Sequence, residues 1–349
     1  MTYPRIGADY DITPKGRRES ALSQCNTNDF NPVTPKFGEA ALESRPHNFA
    51  AGRTTTHQDA KTCPMELILT PSKRCRRPML LALGLALMPA LAAAAEPKID
   101  LTQYRLTYAD EFDSLSVSTW GPVDPSGQRP GTSKWIAHTP WKGDFGSARF
   151  ADPLPGFPFQ VKDGILRIIA LRNDRGEWRS GLLAEADPQG GGFRQSFGYF
   201  EVRAKLPNGP GTWPAFWLIG GDQGPLKVEV DVLEHYGHAP DEFHSNLHIW
   251  SRETGKDKEV YRKEHVTKAE PGLLTGQFNT YGVAVAPGTI AFYLNGALVW
   301  ETDVPPAFEQ PLYPIVNLAL GSGWPIDKTP NPSFMDVDYV RIYQRKDTP

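Results

Sequence analysis

Glu229, Asp231 and Glu234 fall within six residues of one another, in the stretch Lys227-Val-Glu-Val-Asp-Val-Leu-Glu-His235. Closely set carboxyl groups can share acid and base work when their surroundings leave one ionised and another protonated. The Val and Leu between them read as a strand, and a strand sends alternate side chains to one face. Glu229 and Asp231 therefore share a face, at an electrostatic cost that a sequence shaped only for stability would avoid. Strict alternation turns Glu234 to the opposite face, and one bulged residue at Val232 or Leu233 turns it back. The plain structural alternative is a solvated acidic edge strand, but such edges favour Lys and Thr over a Val/Leu-lined run.

The elements that must carry these residues begin well into the chain. All nine Trp lie between Trp120 and Trp324, whereas the three Cys (Cys25, Cys63 and Cys75) precede them, so the composition changes in between. The change is marked by Lys73-Arg74-Cys75-Arg76-Arg77, an apolar run from Met79 and the end Ala93-Ala94-Ala95, the pattern of a secretory signal peptide. The run is short and holds Pro89, which argues against a membrane span. Residues 1–64 are polar and without hydrophobic period; they read as a disordered leader or as an over-extended start, with Met65 the true one. The expected organisation is 1–64, signal peptide 65–95 and one domain at 96–349, secreted or periplasmic, free of membrane after cleavage, cysteine-free and monomeric. A net charge of −3 over 349 residues argues against a nucleic-acid binder.

Apolar, alternating segments recur from Leu106 onward, among them 106–112, 165–171, 197–206, 213–219, 228–233, 244–249, 280–286, 290–294, 297–301, 315–320 and 335–343. Asn295-Gly296 between two of them is a type I′ hairpin signal. No segment has a long helical period, so the fold class is all-β: an antiparallel sandwich of two sheets. The stretches 121–133, 139–158 and 250–276 read as long irregular loops that build the walls of a site.

The triplet Glu229-x-Asp231-x-x-Glu234 resembles the bulged signature of glycoside hydrolase family 16, the laminarinase and lichenase family. Asp110-Glu-Phe112, Asp163-Gly164, Ser180-Gly181, 197–207, Gly211-Thr-Trp-Pro-Ala-Phe-Trp-Leu218, His244-x-x-x-His248, Tyr293-Leu-Asn-Gly296, 317–321 and 337–343 match in order. The resemblance implies a jelly-roll with a concave cleft that holds a polysaccharide and cleaves its β-linkages with retention. It casts Glu229 as nucleophile, Glu234 as general acid/base and Asp231 as the residue that hydrogen-bonds the nucleophile. The chemistry agrees, because retention needs two carboxyl groups about 5–5.5 Å apart and no metal. The region 137–158 lacks the Gly-Asn-x-Glu element usual in laminarinases and is loosely similar to bacterial exopolysaccharide depolymerases. A transglycosylase would use the same carboxylates, and a lectin-like module the same sandwich without need of two convergent Glu residues.

Trp213, Ala215 and Trp217 alternate onto one strand face, where indoles either stack on sugar rings or pack in the core. Trp141 and Trp324 lie in loops and are further candidates for sugar binding. His244, Asn246 and His248 share a face without a third ligand at metal spacing, which argues against zinc; the resemblance implies that His248 faces the cleft near the acidic strand as a substrate-binding residue, the alternative being a hydrogen-bonded core histidine. The resemblance also implies a structural calcium, at the carbonyls of Glu111 and Gly164 and the carboxylate of Asp338, oxygen donors that suit the ion.

Overall fold

A computed structural model describes residues 97–123, 133–141, 143–221, 224–253 and 255–347. The signal-peptide reading and the residues before it lie outside the described residues. Two sheets account for nearly all regular structure. The first runs, in spatial order, Lys258–Lys268, Glu242–Ser251, Leu226–Glu234, Thr212–Gly220, Leu312–Leu320, Leu182–Ala184, Trp135–Ile136 and Val117–Ser118. The second runs Ala297–Asp303, Thr289–Leu294, Asn279–Ala286, Gly198–Lys205, Ser333–Arg345, Ile165–Arg172, Trp178–Ser180 and Arg149–Phe150. Tyr104–Asp110 pairs with Ser333–Arg345 in that sheet, and Phe159–Lys162 with Ile165–Arg172. Among the strands described, pairing is antiparallel except for two short parallel contacts, Val117–Ser118 with Trp135–Ile136 and Arg149–Phe150 with Trp178–Ser180, beside which Val123 and Ser133 make an isolated parallel bridge.

Alternation explains the sandwich. Phe200, Val202 and Ala204 of the second sheet and Phe216, Leu218, Val228 and Val230 of the first are fully buried in one cluster between the layers. Each such side chain contributes roughly 1.5–3 kcal/mol of burial, so register is fixed by which residues reach this cluster. Asn295 and Gly296 take φ of 51° and 78°, the positive pair that the hairpin reading requires. Asp163 and Gly164, at 54° and 72°, make the same kind of tight turn between Phe159–Lys162 and Ile165–Arg172.

One element departs from the sequence reading. The stretch 250–276 is not an irregular loop: it contains the eleven-residue edge strand Lys258–Lys268 and the single turn Leu273–Gly276. Most of that strand is exposed and charged, so no apolar alternation marks it. A register shift between Ile249 and Trp250, which sets Tyr261 and Glu259 opposite them, breaks what alternation remains. The stretch 139–158 is largely irregular as expected. Its Phe145 and Phe150 pack with Trp217, Ile219, Tyr313 and Ile315 in a second apolar cluster on the other face of the first sheet. That loop walls one side of the hollow described next.

Candidate active site

The acidic residues sit on Leu226–Glu234, a central strand of the first sheet. Its apolar residues fix its orientation. Val228 and Val230 enter the core between the layers, which turns Glu229 and Asp231 to the open face. Against the neighbouring strand, Trp217 pairs with Asp231 but Phe216 pairs with Leu233, so Val232 is one residue in excess. Val232 and Leu233 are both buried in the core cluster, which consecutive residues of a regular strand cannot do. The bulge returns Glu234 to the face of Glu229, as alternation plus one residue requires. The carbonyl of Val232, out of the ladder at this point, accepts a hydrogen bond of 3.0 Å from the buried Ser245 hydroxyl.

Glu229, Asp231 and Glu234 line one hollow of about 200 Å³ together with Trp141, Phe145, Trp213, Ala215, Trp217 and Asn317. Each glutamate takes an indole N–H from a different neighbouring strand. Trp250 Nε1 donates to Glu229 Oε2 at 3.1 Å, and Trp213 Nε1 to Glu234 Oε1 at 2.9 Å. Asn246 Nδ2 donates to the second oxygen of Glu234 at 2.5 Å. Behind them His248 Nε2 lies 3.3 Å from Asp231 Oδ2, and its Nδ1 lies 2.5 Å from Glu259 Oε1.

Burial pushes all three carboxyl groups above their ordinary range, and their mutual repulsion adds to it: Asp231 acts on Glu229, Glu234 on Asp231, and Glu229 on Glu234. His248 opposes this. Burial disfavours its charge, but the hydrogen bond and charge of Asp231, with Glu259 beside it, outweigh burial and push the imidazole up to about 9. With three raised carboxyl groups facing one imidazolium, simultaneous ionisation of all three is disfavoured. His248, Lys227 and the Trp250 N–H favour ionised Glu229, whereas the Trp213 and Asn246 hydrogen bonds, with His248, favour ionised Glu234.

Of the sugar-binding candidates, Trp213, Trp217 and Trp141 line the hollow. Trp217 is 7% exposed and belongs to the second apolar cluster, so packing and wall formation are one role. Its Nε1 donates to Asn317 Oδ1 at 2.8 Å, leaving the buried Asn317 Nδ2 without a protein partner. Trp141 stands edge-on to Trp217, ring centres 6.1 Å apart, with Lys227 Nζ 5.1 Å from its own ring. His248 does not line the hollow; it holds Asp231 from behind. Trp324 also lies outside it, 48% exposed. Its ring lies 3.6 Å from His238, whose other neighbour Tyr236 adjoins Trp213 at 6.3 Å, so a strip of rings leads out from Glu234.

Sequence reasoning missed Trp250, Ser245, Asn317 and Glu259 as participants. Trp250 was within reach, because the alternation His244, Asn246, His248 continues to it. Ser245 faces the other way, and its use depends on the bulge.

The positions expected to hold calcium are partly committed to other partners. Glu111 and Gly164 adjoin, since a Cβ on Gly164 would stand 3.9 Å from the Glu111 carbonyl oxygen. The Asp338 carboxylate is ion-paired with Arg203, so the one anionic side chain of the set is already compensated. Among the described residues, Glu229, Asp231 and His248 are the three that bring ligand-type atoms within 4.8 Å of one another. Two of them, Asp231 and His248, form the ion pair already described, and Glu229 stands beside it.

Known proteins resemble this chain. The family profile described as "Glycosyl hydrolases family 16" matches residues 188–341, which include the acidic strand. The chain is 30% identical over 207 residues to the beta-glucanase of Rhodothermus marinus, covering 53% of this chain and 70% of that protein. It is 31% identical over 261 residues to the endo-1,3-1,4-beta-glycanase EglC of Rhizobium meliloti, covering 70% of this chain. It spans only 53% of EglC, about half of that relative's length. The solved structure of SCLam, described as a non-specific endo-beta-1,3(4)-glucanase, superposes with a TM-score of 0.57 at 26% identity, covering 72% of this chain and 96% of that one. A laminarinase domain from Thermotoga petrophila, 24% identical with a TM-score of 0.53 over 70% of this chain and 99% of that one, shares the fold. By profile, by relatives and by superposition the chain belongs to glycosyl hydrolases family 16.

Proposed function

We propose that the protein is a secreted endo-β-glycanase that hydrolyses β-linked glucan or a bacterial exopolysaccharide by double displacement with retention. The observation that carries this reading is the bulge at Val232, which turns Glu229 and Glu234 into one hollow. Glu229 attacks the anomeric carbon while Glu234 gives its proton to the departing glycosidic oxygen. Glu234 then takes a proton from water as that water displaces Glu229. Asp231, hydrogen-bonded to His248, keeps the charge between the two glutamates in place. The free Nδ2 of Asn317 is a donor for a sugar hydroxyl, and Trp141 and Trp213 offer ring faces to pyranoses.

The names of the relatives guide the choice of substrates, which are β-1,3- and mixed β-1,3-1,4-glucans. The test is product analysis by mass spectrometry on laminarin, lichenan and branched bacterial exopolysaccharides, with Glu229→Ala as control. NMR of the first product should show the β-anomer; an initial α-anomer would sink retention, and release of monosaccharide alone would sink endo action. A calcium at Glu111, Gly164 and Asp338 is proposed only as a weak structural site, given Arg203. Its measure is a melting curve with and without chelator in wild type and Asp338→Asn, where a shift of several degrees in the wild type alone would support the ion at this site.

A further inference from the structure

His248 stands between two carboxylates. Its Nε2 faces Asp231 Oδ2 at 3.3 Å and its Nδ1 faces Glu259 Oε1 at 2.5 Å. A neutral imidazole carries one N–H and can donate to only one of them, whereas the imidazolium donates to both. Glu259 reaches this place through a second bulge. Ile249 pairs with Tyr261 but Trp250 with Glu259, so Val260 is the residue in excess, on the edge strand Lys258–Lys268. Without it Trp250 would face Val260, and Glu259 would pair one position beyond. The two strands that flank Glu242–Ser251 thus each carry a bulge that turns a glutamate toward the catalytic face.

Other charged groups approach His248 as well. Glu229 is its cross-strand partner on the acidic strand, with Asp231 beyond it. Arg262 is its partner on the edge strand, but its guanidinium is held by Glu264 at 2.8 Å. On its own strand Trp250 stacks against it, ring centres 5.5 Å apart, and Lys227 Nζ lies 5.5 Å from the Trp250 ring. Glu259 is therefore the carboxylate that meets the imidazole on the side away from the reacting pair.

We propose that Glu259 is a positioning residue: by accepting from Nδ1 it keeps His248 doubly protonated, so that a fixed cation stays against Asp231 and Glu229. This rests on the reading of Glu229 as nucleophile. A cation there favours the ionised carboxylate that attack requires. Removing Glu259 lets His248 lose its proton at lower pH. Glu229 then faces Asp231 without that cation and ionises less readily, so the acid limb of kcat/KM moves to higher pH.

The experiment follows His248 directly, by ¹⁵N NMR of its imidazole in the full chain without substrate, in wild type, Glu259→Gln and Glu259→Asp. The spectrum of His248→Asn assigns the signal. Both nitrogens should be protonated at pH 7 in the wild type, and Glu259→Gln should lower the titration midpoint by about one unit or more. Glu259→Asp, which keeps the charge, should recover part of that shift. The second arm is the pH profile of kcat/KM on a cleaved glucan. Its acid limb should rise by about one unit in Glu259→Gln with KM nearly unchanged, and stay in place in the control Glu264→Gln. An unchanged His248 titration in Glu259→Gln overturns the proposal, as does a shifted titration with a wild-type pH profile. If no glucan is cleaved by the wild type, the reading of the site fails while the NMR arm still decides the role of Glu259.

Discussion

Glu229 and Glu234 are the same residue type on one strand, and what separates them is company. Each accepts an indole N–H, but Glu229 has Lys227 and His248 as cations, while Glu234 is gripped by the Asn246 amide. Their roles are therefore separable by substitution. Glu229→Ala is expected to abolish turnover. Glu234→Ala should lose roughly 10²–10⁴-fold on a glucan yet still form the intermediate from an aryl glycoside whose leaving group departs unaided. Azide should then rescue Glu234→Ala to a β-glycosyl azide, and give the α-azide with Glu229→Ala by direct displacement. Normal turnover of glucan by a well-folded Glu234→Ala would overturn the assignment. The identity of these two carboxylates was legible from spacing and residue type. The grip of Trp250 and Asn246 on them was not, because cross-strand partners 12 and 21 residues away in sequence are set by pairing register.

At the scale of elements, the bulge at Val232 does the work that makes a strand into a site. It is held from two sides, by burial of both Val232 and Leu233 in the core and by the Ser245 hydroxyl on the Val232 carbonyl. Ser245→Ala should cost about 1–3 kcal/mol by leaving a buried carbonyl unpaired, measured by denaturant unfolding. It should also lower kcat more than it raises KM, since Glu234 is placed by the same backbone. A stable Ser245→Ala with full kcat would show that core burial alone fixes the bulge. The sequence allowed a bulge at Val232 or Leu233 and could not choose between them. The choice is made by Phe216, which takes Leu233 as its partner across the strand pair. The edge strand Lys258–Lys268 was invisible for a related reason: its exposed residues need no apolar alternation, and its own bulge disrupts the period.

The described domain is a sandwich whose stability does not depend on the acidic cluster alone. Glu185 is fully buried away from the hollow, where it accepts from the Tyr108 hydroxyl at 3.0 Å and the Phe193 N–H at 3.3 Å. Burial pushes it up from 4.5 to about 8. A carboxyl raised on folding favours the fold below its unfolded value, and that contribution is lost as pH rises from about 4.5 through about 8. Glu185→Gln should thus melt near wild type at pH 4 and above it at pH 9. No difference from wild type at pH 9, or a loss there, would mean that Glu185 is ionised and paired in the native state. The amino-acid sequence by itself determined the all-β class, the tight turn at Asn295-Gly296, the acidic strand and the family, because alternation, positive-φ residues and a dense local motif are short-range signals. Only the tertiary structure decided which residue bulges, that His248 backs Asp231 instead of lining the hollow, that Trp324 stands outside it, and that Glu259 joins the site. Those outcomes depend on which strands lie side by side and in what register, and register is set by the shared core rather than by any one segment.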